Sequence, residues 1–485
     1  MADDIVLVSN RGPVSFVFND GRFETTRGAG GLAGALDNVA RRLGDHAVWI
    51  AAATSEEDRE AIAAGAAEGL QEELGYPVRL LTFDSDVYDR YYNVVSNRML
   101  WFANHCLWDE LGVKEFGDHE RAAWKDAYQP VNVRFAETVD ELAAPDALVL
   151  FQDYHLATAP GHLRELGDDH VIGHFTHSSF CGPEGLDRLP RPIPRRVIEG
   201  MLGADLLGFH VAPWVSAFFE CCERLGASID HARGTVDYRG RTTWVRAYPI
   251  PIDPRDLQKR AREEPACRWG ETFAAGDGLL VVRADRAEPS KNIIRGFEAF
   301  GLLLDRRADL EGRVRFIACL YPSRESMPEY QAYMDDIFTI VDKVNVSHPN
   351  SIELFMEDDY DRTLGALRVY DALLVNSIMD GMNLVSKEGP AVNENSGVLV
   401  LTATTGSHEE LGQYAVEIRD PYDENETADA LERALELPDQ ERRRRAQSLR
   451  RMVESSLPDD WIEAQLDDLQ HISEGRAPVT SAATT

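Results

Sequence analysis

The chain has 485 residues, 44% of them hydrophobic and 27% charged, with no apolar run of about 18 residues that could cross a bilayer. At roughly 100 to 200 residues per domain this is material for two to four compact domains, which excludes a mini-protein, a disordered tail and a helical membrane protein. Fifty basic against 83 acidic side chains give a formal charge of -33, which repels phosphate backbones and anionic membrane surfaces, so neither nucleic acid nor membrane is an expected partner.

Met1-Ala2-Asp3-Asp4 carries acids where a secretory signal needs a basic and then an apolar stretch, so a cytoplasmic address is expected. Six cysteines, at 106, 181, 221, 222, 267 and 319, show no CxxC spacing; buried thiols are expected in preference to a disulfide or zinc framework. Only six of the fifty basic residues are lysine, a composition that suits a salt-rich cytoplasm and equally a GC-rich genome.

In chain order, short β-branched runs alternate with helix-like stretches: Ile5 to Val8, Ala147 to Phe151, Val171 to Phe175, Asp205 to Phe209, Leu279 to Val282, Val314 to Leu320, Ala372 to Val375 and Val398 to Leu401. That alternation predicts an α/β fold with parallel sheets covered on both faces. Ser15 to Phe18 and Arg22 to Thr25, flanking Asn19-Asp20-Gly21, predict a hairpin after the first strand. Three prolines in Tyr248 to Pro254 forbid a continuing helix or central strand and place the inter-domain hinge there, giving domains at 1–248 and 249–457. Trp461, Ile462, Leu466, Leu469 and Ile472 fall at helical spacing, so a docking helix is expected over 458–477, followed by a frayed tail at 478–485. Arg442 to Arg445 reads as a solvated helix face.

In open parallel sheets, ligands lie beyond the carboxyl ends of the strands, and there this chain is polar. Ser9-Asn10-Arg11, Gln152-Asp153-Tyr154-His155, Thr176-His177 and Pro322-Ser323-Arg324 each follow an apolar run. Gly28 to Gly34 has GxGxxA spacing, but the intervening hairpin argues against a dinucleotide fingerprint; a glycine loop opening a helix near Leu32, able to approach a phosphate or sugar, is the alternative to a plain tight turn. Arg286 and Lys291, five residues apart at a helix start, can clamp a diphosphate, the alternative being a plain surface pair. After Ala372 to Val375, the stretch Asn376 to Glu388 turns at Gly381 and offers the amides of Met382 to Val385 to an anion, while Glu388 and Asp380 could accept from sugar hydroxyls.

Asn10-Arg11-Gly12-Pro13, Gly30-Gly31-Leu32, Tyr91-Tyr92-Asn93 with Trp101, Gln152 to Leu156, Gly203 to His210, Pro322-Ser323-Arg324 and Asp380 to Glu388 together resemble the trehalose-6-phosphate synthase family of retaining glycosyltransferases, in order from Ile5 to Trp461. The resemblance implies a GT-B fold, two Rossmann-like domains facing across a cleft, with the last helix returning to the first domain. It assigns Arg286, Lys291 and the amides at Asn383, Leu384 and Val385 to the donor diphosphate, Glu388 to the ribose, and Gly30 or Gly31 to the donor. Asp380 and the backbone of His177 would hold the transferred glucose and Asp153 would orient the reactants, while Arg11, Tyr92, Trp101 and Arg324 would bind the acceptor phosphate.

Transfer of glucose from UDP-glucose to glucose 6-phosphate, with retention and no protein nucleophile, is the implied reaction, in the service of osmotic protection. Its partners would be a nucleotide sugar and a sugar phosphate, with a homo-oligomer admitted. No metal triad is visible, because Asp84-Ser85-Asp86 sits in a polar stretch and His174 with His177 is an isolated pair; no obligatory cofactor is expected, a divalent metal being at most a stimulant.

The chain departs from the family pattern at Ala51-Ala52, at Ser178-Ser179-Phe180-Cys181-Gly182-Pro183 and at Arg286 to Asn292, the last resembling the related validoxylamine-phosphate synthase. Another phosphorylated acceptor such as glycerol 3-phosphate, a cyclitol coupling, a GDP or ADP donor and a catalytically idle sugar-phosphate sensor therefore stay open as readings.

Overall fold

The computed structural model describes residues 5–27, 31–113, 116–167, 170–276 and 278–483. The chain divides into two compact units, one of Met1–Ile250 with Pro458–Thr485 and one of Pro251–Leu457.

The first unit is built on a nine-stranded sheet and a hairpin. Its strands are β1 (Ile5–Arg11), the hairpin pair β2 (Val14–Asn19) and β3 (Arg22–Arg27), β4 (Ala47–Ala52), β5 (Val78–Leu81), β6 (Leu148–Gln152), β7 (Val171–Phe175), β8 (Leu206–Phe209), β9 (Ser228–Asp230), β10 (Thr235–Tyr238) and β11 (Arg241–Ala247). The sheet order is β5-β4-β1-β6-β7-β8-β11-β10-β9, parallel from β5 through β11. Ile5 to Val8 are fully or almost fully buried, as a strand covered on both faces must be, each aliphatic side chain contributing about 1.5 to 3 kcal/mol. In the hairpin, Asp20 and Gly21 both take positive φ (48° and 82°), the backbone of a two-residue turn matched to strand twist.

The second unit carries β12 (Leu279–Arg286), β13 (Val314–Tyr321), β14 (Ile352–Met356), β15 (Ala372–Val375), β16 (Val398–Thr402) and β17 (Val416–Ile418), all parallel, in the order β14-β13-β12-β15-β16-β17. Numbered within the unit, that order is 3-2-1-4-5-6, the doubly wound arrangement whose reversal point lies between its first and fourth strands. The run β5-β4-β1-β6-β7-β8 repeats it in the first unit. The reversal points therefore fall between β1 and β6 and between β12 and β15.

Strand β12 runs four residues beyond its expected end. Arg283 and Asp285 extend it as a buried ion pair at 3.0 Å, which an apolar pattern does not register.

The terminal helix Pro458–Ser473 belongs to the first unit. Trp461 donates to the Tyr248 carbonyl at 3.0 Å, its ring lies 5.0 Å from Phe175, and Asp468 accepts from the Tyr248 hydroxyl at 2.7 Å. A Cβ on Gly173 would come within 3.0 Å of Leu469, so the helix seats closely because that strand residue has none. Within the stretch expected to fray, Val479 and Thr480 instead donate to Asp468 at 2.5 and 3.1 Å, and Thr480 accepts from Arg246 at 2.7 Å.

One expectation about the cysteines is corrected: Cys106 and Cys181 form a disulfide, with Cα atoms 6.0 Å apart across 75 residues. The fold brings them together because the Cys181 amide bonds the Asn104 carbonyl at 3.1 Å, a tertiary contact no short spacing motif encodes. Cys221, Cys222 and Cys319 are buried free thiols, and Cys267 is a half-buried one.

Candidate active site

At the reversal point of the second unit, the segments after β12 and β15 are locked together by Arg283. Its fully buried guanidinium donates to the Lys291 carbonyl (2.8 Å), to Asn376 Oδ1 (2.9 Å) and to Asp285 Oδ2 (3.0 Å). Asn292 takes the left-handed conformation (φ 57°), which asparagine tolerates better than most residues, and its amide nitrogen donates to the Asn376 and Pro421 carbonyls at 3.0 and 2.6 Å. The loop carrying Lys291 is thus fixed against the loop carrying Asp380.

There Lys291 Nζ lies 2.5 Å from Asp380 Oδ2, and the same oxygen accepts from Asn383 (3.0 Å) and Ser377 (3.3 Å). Burial opposes the Lys291 charge, but Asp380 and Asp285 outweigh it and hold the ammonium's pKa above its ordinary value. Asn383 also sits at positive φ (66°), so the helix Val385–Val392 begins at Val385 and not at Met382 as expected. Leu384 and Val385 stand at its amino end, and Asn383 Oδ1 accepts from the Ser386 amide at 3.0 Å. Gly406 is obligatory beside this turn, because a Cβ there would lie 2.0 Å from the Gly381 carbonyl.

Sequence reasoning passed over Glu288, which proves central. Its fully buried carboxylate lies 3.2 Å from Arg286 and 3.5 Å from Arg324 and accepts from Ser323 at 2.8 Å. Burial alone would raise its pKa; Arg286, Arg324 and Lys291 overcome that and hold it at about 2, and Glu288 in turn is the largest cause keeping Arg286 protonated. The available signal was an acid between two cations just before a helix. Arg324, at φ 49°, also hydrogen-bonds the Tyr330 hydroxyl. Glu388 meets the hydroxyl of Tyr360, and burial raises its carboxyl to about 7.

In the first unit, Asp153 follows β6 in a strained backbone conformation (φ 72°, ψ 167°) that a non-glycine residue rarely keeps without reason. Its amide donates to Phe175 (2.6 Å), and its side chain accepts from the His177 amide (3.2 Å) and lies 3.6 Å from His155. Burial pushes the Asp153 carboxyl up, but His155 and His177 more than offset it and hold the group well below the usual range. His177 bonds Gln152 through Nε2 at 2.8 Å, and burial lowers its pKa to about 4, so the ring is neutral at physiological pH.

Arg11 ends β1 exposed and reaches the Tyr92 hydroxyl at 3.4 Å. Tyr92 stacks on His155 at 5.6 Å, and Trp101 lies 5.8 Å from Tyr154. The sequence-assigned residues of this unit therefore form one connected group around the β1/β6 reversal point. Gly31 begins the helix Gly31–Leu43; Gly30 lies outside the described residues.

At the departures, Ala51 and Ala52 are buried in β4, and Ser178 and Ser179 are bonded to Asn104 at 2.9 Å each, which ties that loop to the helix Trp101–Asn104. Asp84 caps the helix Ser85–Asp89, and His174 bonds the Asp153 carbonyl at 3.1 Å. Among the described residues, the one cluster within metal-ligand distance is Cys106, Cys181 and Glu184, and two of its members are the disulfide.

Two Rossmann-like units, with a shielded Lys291–Asp380 ion pair and a helix amino end at the reversal point of the second, define a glycosyltransferase of the GT-B class. Residues 3–471 match the profile of Glycosyltransferase family 20, and the chain belongs to that family. It is 34% identical over 487 residues to the trehalose-6-phosphate synthase of Mycolicibacterium vanbaalenii, covering 96% of each chain. It is 32% identical to the validamine 7-phosphate valienyltransferase of Streptomyces hygroscopicus subsp. jinggangensis, over 87% of this chain and 85% of that one. Among solved structures, the UDP-forming alpha,alpha-trehalose-phosphate synthase from Burkholderia xenovorans in complex with glucose-6-phosphate superposes with a TM-score of 0.78 at 26% identity, covering 96% of this chain and 99% of that one. The chain is accordingly a glycosyltransferase similar to the UDP-forming trehalose-phosphate synthases.

Proposed function

We propose that this enzyme transfers glucose from UDP-glucose to glucose 6-phosphate with retention, forming trehalose 6-phosphate in the cytoplasm. The observation that carries the reading is the convergence of Lys291, Asn383 and Ser377 on Asp380 beside the helix that starts at Val385, at the reversal point where a doubly wound sheet binds its ligand. Relatives named for trehalose 6-phosphate synthesis and a neighbour holding glucose-6-phosphate support the substrates.

In this reading Arg286, Lys291 and the amides of Leu384 and Val385 take up the charge of the UDP diphosphate as the bond from glucose C1 to the phosphate oxygen breaks. The acceptor's anomeric hydroxyl bonds to C1 on the same face, and its proton passes to a departing phosphate oxygen, so no protein nucleophile enters. Asp380 and the His177 backbone hold the glucose, with Asp153 orienting the reactants. Glu388 accepts from the ribose, Gly30 or Gly31 is assigned to the donor, and Arg11, Tyr92, Trp101 and Arg324 are assigned to the acceptor phosphate. Charge neutralisation by these cations and amides needs no obligatory metal, and a divalent ion would at most stimulate.

The likeness to a valienyltransferase favours cyclitol coupling as the second reading. The experiment that separates them crosses UDP-, GDP- and ADP-glucose with glucose 6-phosphate, glycerol 3-phosphate and free glucose, following nucleotide release and the anomeric configuration of the product. Release with UDP-glucose and glucose 6-phosphate alone, giving an α,α-linked product, is expected. No release with any pair would leave the cyclitol enzyme or a sensor.

A further inference from the structure

The first unit holds a cavity of about 810 Å³ in which the charge balance of the chain is reversed. It lies among the helices Asp118–Ala123, Gln129–Leu142, Ala159–Leu166 and Ile193–Met201 and the turn from β10 to β11. Seven of its nine charged lining residues are basic, in a protein with 83 acids and 50 bases. Arg121, Lys125, Arg191, Arg196, Arg239 and Arg241 are among the lining residues, and Trp124, Ile193 and Leu202 supply apolar wall.

The cations of the lining outnumber its acids. Arg164 and Arg241 both pair with Asp205, at 2.6 and 2.9 Å. Arg195, Arg196 and Arg239 converge on Glu199 at 3.0, 3.6 and 3.0 Å. Arg121, Lys125 and Arg191 have no acid within 4.0 Å among the described residues. Guanidinium clusters of this kind match phosphate oxygens, with two-pronged geometry and charge together.

We infer that this cavity binds a phosphorylated small metabolite, at a site separate from the reactant groups of either unit. The volume is that of a small-molecule pocket, about 300 to 1,000 Å³, with apolar wall for the body of the ligand and arginines for its phosphate. A nucleic acid or acidic protein would have to lie across the surrounding surface of a chain at -33, whereas a metabolite enters the cavity alone.

The wall of this cavity is continuous with the Asp153 loop. Gln129, a lining residue, donates to lining Thr158 (3.3 Å), whose amide donates to Asn132 (3.2 Å), and Asn132 donates to the His155 carbonyl (3.1 Å). Tyr128 joins the Tyr154 carbonyl and the Ala157 amide from the same side, at 2.7 and 3.2 Å. The site therefore adjoins the back of a loop assigned to the reaction, although binding there does not depend on that assignment.

The test is calorimetric titration of the full chain with pyrophosphate, inorganic phosphate and adenosine triphosphate, in the parent, in Lys125→Glu/Arg191→Glu, in the milder Lys125→Gln/Arg191→Gln and in Lys291→Ala. At least one anion should bind the parent, and both double variants should weaken that binding tenfold or more, with Lys291→Ala retaining it and the rate without added anion unchanged in the double variants. Preference for adenosine triphosphate over inorganic phosphate would identify an organic ester as the occupant, and the reverse would identify free phosphate. Parent-like isotherms in the double variants, or no binding by the parent, would overturn the inference.

Discussion

Lys291 and Asp380 are joined at 2.5 Å, so the ammonium assigned to the departing diphosphate is held by the carboxylate assigned to the hexose. Both side chains are largely shielded, at 10% and 14% exposure, and Asn383 and Ser377 donate to the same carboxylate oxygen. The ammonium is therefore fixed by groups of the protein itself, and fixed charges of this kind can lower a barrier without reorganising.

Asp380→Ala leaves the Lys291 ammonium without its nearest partner. Breaking a buried pair from one side costs about 3 to 5 kcal/mol, here an upper figure because Asp285 also acts on Lys291. Urea unfolding should show a loss of stability in that direction together with a raised KM for the nucleotide sugar. Unchanged stability with an unchanged KM would separate Asp380 from both roles.

Glu288 holds Arg286 and Arg324 against one buried carboxylate. Glu288→Gln should raise KM for donor and acceptor together while kcat falls less. Because the folded pKa is depressed to about 2 from its ordinary value of 4.5, the carboxylate stabilises the fold above about pH 4.5, and that stability is lost as pH falls toward 2. Acid unfolding of the glutamine variant should lack this contribution, a signature that a loosened core would not reproduce.

Glu388 has the opposite sign. Burial raises it to about 7, so its contribution to stability is present below about pH 4.5 and is lost as pH rises through 7. The ribose-acceptor role proposed for it is strongest in the ionised form, so KM for the nucleotide sugar should fall by up to about tenfold between pH 6 and pH 8. Glu388→Gln should flatten that profile; a profile that survives the substitution points to another group.

Thiol titration checks the Cys106–Cys181 bond. The unfolded, unreduced chain should give four free thiols, and the reduced chain six. A bridge spanning 75 residues should contribute about 2 to 4 kcal/mol, so dithiothreitol should lower the melting temperature of the parent and leave Cys106→Ser/Cys181→Ser unmoved. Six free thiols without reductant would show the pair to be reduced, as a glutathione-buffered cytoplasm favours.

Much of this was legible in the sequence. Apolar runs marked most of the parallel strands, and the polar residues just past them marked both reversal points, because a buried parallel strand must be apolar and its carboxyl end is where ligands gather. What escaped depends on tertiary pairing. Arg283 and Asp285 extend β12 inside the core, where each charge is tolerable only because of the other, and a hydrophobicity pattern reads them as the strand's end. Glu288 looks like a solvated acid until Arg286 and Arg324 are seen to converge on it, and the disulfide joins cysteines whose separation encodes nothing. The helix start shifted from Met382 to Val385 because Asn383 takes a left-handed turn that glycine was expected to provide at 381.

The most direct test of the clamp is the rate of UDP release from UDP-glucose and glucose 6-phosphate, both saturating, in the parent and in Lys291→Ala, with circular dichroism to verify the fold. A fall in kcat of about 10² to 10³ with the fold intact is predicted, the size seen when one donor to developing charge is removed. Equal rates would contradict the assignment of the diphosphate to Lys291 and its neighbours.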